Sequence, residues 1–149
     1  MALFATYFHL RVKNSGGTVV ATFSPASTVG RDVAVGFGEA ILLQREKIDF
    51  STDNYFIGWK QRVKAVLTDT AKTITAASGY STLEATLNAM TTGYKLEYNI
   101  IDSSPGGSNW LACELLSISK DKAQSGKNYG VKVTIELMSK SAVTNAFAT

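Results

Sequence analysis

Reactive side chains are scarce in this 149-residue chain, which has one histidine, His9, and one cysteine, Cys113. A Ser–His–Asp triad would have to be built on His9, yet no Gly-x-Ser-x-Gly elbow presents a serine to it. Zinc sites draw on several Cys or His ligands, and one of each cannot supply them. A single cysteine also excludes an intrachain disulfide. Within Trp110-Leu-Ala-Cys-Glu-Leu-Leu116, Cys113 reads as a small buried apolar residue. His9 sits in an alternating segment, where a lone histidine is a packing or surface residue. Gly36-Phe-Gly38 and Gly106-Gly107 form neither a dinucleotide fingerprint nor a Walker loop, and they read as turn glycines. Asp53 reads as a helix cap. Glu97, Glu114 and Glu136 fall on three adjacent candidate strands, where Lys95 and Lys132 are their expected cross-strand partners. The residues therefore point to no enzyme and no cofactor.

The elements that carry these residues are mostly strands. Phe4, Phe8, Leu10 and Val12 recur with period two over Phe4–Lys13, the pattern of a half-buried strand. Asn14-Ser-Gly-Gly17 supplies a turn, and Thr18–Phe23 returns as its hairpin partner. Ser24–Gly36 reads as a loop. In Phe37–Ser51, Ile41 and Leu43 lie on one strand face and Ile48 and Phe50 on the other, so a bulge or sheet switch is expected near Gln44–Lys47. A helix competes there, because Leu, Gln, Arg, Glu and Lys are good helix formers.

Phe56, Trp59, Val63, Val66 and Leu67 recur at spacings of three and four, which predicts a helix over Asp53–Asp69 capped by Ser51, Thr52 or Asp53. A strand through Arg62–Leu67 competes. Ser81 with Glu84 makes a capping box. Leu83, Leu87 and Met90 form that helix's buried stripe, and Gly93 suits a left-handed residue after it. Strands follow at Tyr94–Ile101, Trp110–Lys120 and Tyr129–Lys140, with Ser103–Asn109 as a hairpin tip. Asn145–Thr149 reads as a tail or contact arm. The expected fold is one domain, mainly β: a β-sandwich or small barrel with one or two flanking helices.

Composition agrees with a folded chain that associates. Hydrophobic residues make up 45% and charged residues 18%; the low charge fits surfaces that become subunit interfaces. The net charge of +3 comes from scattered basic residues such as Arg11, Lys13, Lys60, Arg62, Lys64, Lys120, Lys122 and Lys127. No dense basic stripe of the nucleic-acid-binding kind is present. The first ten residues lack the basic start and apolar run of a signal peptide. No stretch reaches the ~18 apolar residues of a membrane-spanning helix. Folding in a host cytoplasm is the expectation, with no membrane insertion.

From Tyr80 to Val143 the order is helix, strand, glycine loop, strand, polar loop, strand, then a Ser-Lys-Ser-Ala-Val tail. Together with Ile48-Asp-Phe-Ser-Thr52 and Gly58-Trp-Lys60 upstream, this resembles the phage tail tube (major tail protein) family over roughly Gly36–Val143. The resemblance implies a structural virion protein of a bacteriophage tail. Its subunits form six-membered rings that stack into a tube for DNA ejection, touching tape measure and terminator proteins and passing DNA without reading its sequence.

Under that resemblance Glu97, Glu114 and Glu136, with Asp102, are the candidate lumen lining. The candidate inter-ring loop is Ser24, Pro25, Val29, Arg31 and Asp32. Related alternatives are a tube subunit of a secretion or contractile injection system, a tail terminator and a capsid decoration protein. A carbohydrate-binding β-sandwich is a different class, with Trp59, Trp110, Tyr94 and Tyr98 as stacking faces.

Overall fold

The computed structural model describes residues 3–25, 29–69, 81–125 and 128–143. Its strands are β1 (Leu3–Ala5), β2 (His9–Lys13), β3 (Val19–Phe23), β4 (Gly30–Glu46), β5 (Thr52–Asp69), β6 (Lys95–Asn99), β7 (Leu111–Ser125) and β8 (Asn128–Ala142). A helix, α1 (Ser81–Asn88), precedes β6. All strands join one eight-stranded sheet in the order β1-β4-β5-β8-β7-β6-β2-β3, and every pairing is antiparallel. The mainly β expectation holds.

The sheet is rolled. Only Thr6, Tyr7 and Phe8 link β1, at one end of the strand order, to β2, next to the other end. Such a link spans at most about 14 Å, so the two ends of the sheet must come close together. One face turns inward. Leu10, Val12, Phe23, Val33, Val63, Ala65, Leu67, Leu96, Tyr98, Ile135 and Leu137 lie on it, each essentially out of contact with water. Burying each large aliphatic or aromatic side chain contributes about 1.5–3 kcal/mol. Helix α1 closes part of the opening, with Leu83 buried, Leu87 packed on the core and Glu84 paired to Lys120 at 2.8 Å.

Several local expectations are met. In the β2–β3 turn Gly17 has φ +85°, and the Asn14 side chain accepts from the backbone of Gly16 and Thr18. Gly93, also at φ +85°, sits in a turn closed by Tyr94 N–H donating to Thr91. The helix ends at Asn88, so Met90 lies beyond it and is exposed. The segment Phe4–Lys13 is broken into β1 and β2, because the chain must cross from one end of the rolled sheet to the other.

Two larger expectations fail. The helix over Asp53–Asp69 is instead strand β5, paired along its length with β4 and, from Lys60, with β8. Val63, Ala65 and Leu67 alternate inward with Arg62, Lys64 and Val66 outward, so two-strand pairing overrides a spacing that also fits a helix. Asp53 consequently caps nothing; it pairs with Lys47 at 3.0 Å.

The Ser24–Gly36 loop fails too. Strand β4 begins at Gly30, and Pro25, Val29, Val33 and Val35 are buried. Residues 26–28 and the tail Asn145–Thr149 lie outside the described residues.

Candidate functional site: a projecting apolar arm

Strands β4 and β5 are far longer than their neighbours. Strand β1 covers β4 only at Val33–Val35, and β8 covers β5 only from Lys60 onward. Beyond those points, Gly38–Trp59 is a two-stranded arm, flanked by no further strand among the described residues. Ten residues of extended chain carry it about 33 Å from Lys60 to its tip.

Two register shifts set which side chains share a face. Phe37 pairs with Gln61 but Ala40 with Trp59, and Ile41 pairs with Gly58 but Leu42 with Phe56. The first shift sets two β4 residues against one on β5, and the second leaves Ile57 unopposed. Both lie nearer the base than the expected Gln44–Lys47. Their result is that the inward face of the sheet continues onto the arm as Phe37, Trp59, Leu42 and Phe56. Trp59 packs tilted or edge-on to Phe37 and Phe56, with centroids 6.3 and 5.6 Å apart. All four are exposed. This is core composition with no opposing layer among the described residues, and an isolated two-stranded hairpin is marginally stable in water.

At the tip, Lys47 N–H donates to Ser51 and Phe50 N–H to Lys47. The loop is thus a tight turn followed by a left-handed residue, a position that usually holds glycine. Here it holds Phe50 at φ +67°. Phe50 is 84% exposed and Ile48 fully exposed. Asp49 accepts from the Ser51 hydroxyl and backbone, which holds its carboxyl below the usual carboxylate range. The base of the arm is fixed to the end of β8. Val143 N–H donates to Trp59 O at 2.9 Å, and Ser139 Oγ accepts from Gln61 N–H. A methyl group on Gly58 would come 2.7 Å from Ala142 Cβ.

The three glutamates do share a face. Register places Glu97 opposite Ala112, two residues before Glu114, with Glu114 opposite Met138 and Ser117 opposite Glu136, all on the outward side. Their partners differ from those expected. Glu97 binds Arg11 at 2.7 Å and Lys13 at 3.6 Å, and Glu136 binds Arg62 at 3.1 Å and Lys64 at 3.9 Å. Strands β2 and β5 are the cross-strand neighbours, which spacing could not reveal. The face is mixed in charge rather than acidic. Asp102 does not join it. Its carboxylate accepts from Asn99, from the Asn109 backbone and from the Asn109 side chain, in that order of weight, and its pKa is held down accordingly.

Asp102 therefore anchors the Ser103–Asn109 tip, which Trp110 Nε1 also ties down through Gly107 O. The hairpin tip expected at Ser103–Asn109 is thus tied to its own sheet by side chains. The loop covers the outward side of β2, so His9 is buried there. His9 Nε2 donates to Asp102 O, which leaves Nδ1 to accept from the Ser24 hydroxyl at 2.8 Å. Burial lowers the His9 pKa. Ser24, named as an inter-ring contact, is thus engaged with its own chain. Arg31 and Asp32 lie within β4, opposite Leu67 and Val66.

Burial likewise pushes the Cys113 thiol up to about 12. No trio of His, Cys, Asp or Glu could hold a metal ion among the described residues, and none of their helices is long and apolar enough to cross a membrane. The four aromatics considered for carbohydrate do not form one platform. Tyr98 is fully buried, with its hydroxyl donating to Gln61. Trp110 is covered by the Arg11 guanidinium at 4.2 Å, while Trp59 lies on the arm.

No protein-family model and no curated protein matches the chain.

Proposed function

We propose that the chain is a self-assembling structural subunit of a phage-type tail tube, working in the virion after folding in the host cytoplasm. The single observation that supports this most is the arm. It extends the inward face of a rolled sheet into solvent with Phe37, Leu42, Phe56 and Trp59 uncovered, a surface that gains stability only when another apolar surface closes on it. Contacts between different patches of identical subunits build rings and open filaments, the geometry of stacked hexameric rings. DNA would pass such a channel without sequence recognition, and tape measure and terminator proteins would be its partners. In this reading the arm, rather than Ser24–Asp32, makes the contact between subunits.

Light scattering and negative-stain microscopy across concentration and salt test the proposal. Rings or tubes with a central channel are expected. Protein that stays monomeric under every condition refutes it.

A further inference from the structure

We propose that the arm tip, Ile48 and Phe50, seats in a groove between helix α1 and strands β7 and β8 of a second copy of this chain. The proposal rests on the self-assembly reading above and adds the partner surface. Three features carry it.

The first is the tip itself. A phenylalanine at φ +67° is an unfavourable choice for a left-handed turn position that glycine fills without strain. Its ring gains little from the described residues of its own chain, being 84% exposed beside a fully exposed Ile48. Local strain of this kind persists where a contact made elsewhere offsets it.

The second is the groove. Leu83, Leu87, Ile118 and Val133, with Asn88 at the rim, line a space of about 300 Å³. Its position suits a head-to-tail contact. Val133 lies opposite Leu67 on β5, whereas the arm leaves β5 at Lys60. The groove is therefore about 23 Å along the strands from the base of the arm, away from the direction in which the arm projects.

The third is charge. Around the tip stand Glu46, Asp49 and Asp53 against Arg45 and Lys47, and Arg45 is stacked on Tyr55. At the groove Lys120 is paired with Glu84 at 2.8 Å, and Lys122 stands two residues further along the same side of β7. Among the described residues the tip thus has a small acidic excess and Lys122 is a basic charge beside the groove, so the two attract weakly. The same acidic excess disfavours an anionic lipid surface as the occupant.

The test uses the full chain. In Phe50→Gly the turn strain is removed along with the ring, so the urea midpoint should hold or rise while self-association weakens about tenfold to a hundredfold. A mixture of Ile48→Cys and Asn88→Cys proteins, treated with a bismaleimide, should give a cross-linked heterodimer that neither variant gives alone. The native Cys113 is buried and does not compete. Assembly unchanged in Phe50→Gly, or assembled protein that yields no Ile48→Cys to Asn88→Cys cross-link, overturns the seating and leaves the tube reading standing. Phe50-dependent binding to phosphatidylcholine vesicles with unchanged assembly reassigns the tip to a lipid surface and overturns it too. A wild-type chain that never associates overturns both readings.

Discussion

Substituting alanine at Gly58 puts a steric test on the joint that holds the arm. The added methyl carbon would stand 2.7 Å from Ala142 Cβ, against a normal carbon–carbon separation of about 3.5–4.0 Å. Neither group can rotate away, since both are fixed to backbone in paired strands. The end of β8 must therefore retreat by about 1 Å, at the expense of the Val143 to Trp59 hydrogen bond. Overpacking of this order costs about 1–3 kcal/mol. The better strand behaviour of alanine over glycine returns about 0.5–1 kcal/mol. A net loss of up to about 2.5 kcal/mol follows, centred on about 1 kcal/mol, or a fall in Tm of about 2–4 °C for each kcal/mol lost in a chain of this size.

Ala142→Gly removes the clashing atom. The double variant should therefore recover stability relative to Gly58→Ala, with a coupling of about 1–2 kcal/mol. Urea titration followed by the fluorescence of Trp59 and Trp110 gives all four corners of the cycle. Independent, additive effects of the two substitutions would refute the close packing of the arm base on β8.

Two further outcomes are expected. Because burial lowers the His9 pKa, the unfolded chain binds the proton more readily. The His9 contribution is therefore full above about pH 6.5 and is lost as pH falls toward the folded-state value. Urea midpoints between pH 7.5 and pH 5 should drop more in the wild type than in His9→Gln; equal slopes would show that His9 is not held neutral by its site. Cys113, with its thiol pushed up to about 12, should react with Ellman's reagent at pH 8 only when urea unfolds the chain, and prompt labelling of native protein would contradict its burial.

How much could be read from the residues depended on what fixes each feature. The β2–β3 turn and the turn at Gly93 were legible because φ +85° demands a glycine, and local chemistry announces it. The alternation of β6 and β8 was legible because one face is buried. Strand β5 was not, since Phe56, Trp59, Val63 and Leu67 satisfy a helical spacing as well as a strand's. Only the register with β4 and β8 decides between them. The shared face of the three glutamates was foreseen, but not their partners, because the β2–β6 pairing joins residues 86 positions apart. The arm was missed altogether. Its signal was present in Ile48 and Phe50 beside a polar turn, apolar residues that the described core leaves exposed.

The two register shifts at the arm base have an evolutionary consequence. They act as a phase setting between the rolled sheet and the arm, fixing which side of the distal hairpin inherits the apolar stripe. An insertion or deletion of one residue between Phe37 and Ala40 would leave the core strands in place while turning the outer part of β4 over. Leu42 and Leu43 would then exchange sides relative to the inward face. Length variation at this joint is thus a route by which related chains could turn the apolar stripe to the other side of the arm without altering the sheet that bears it.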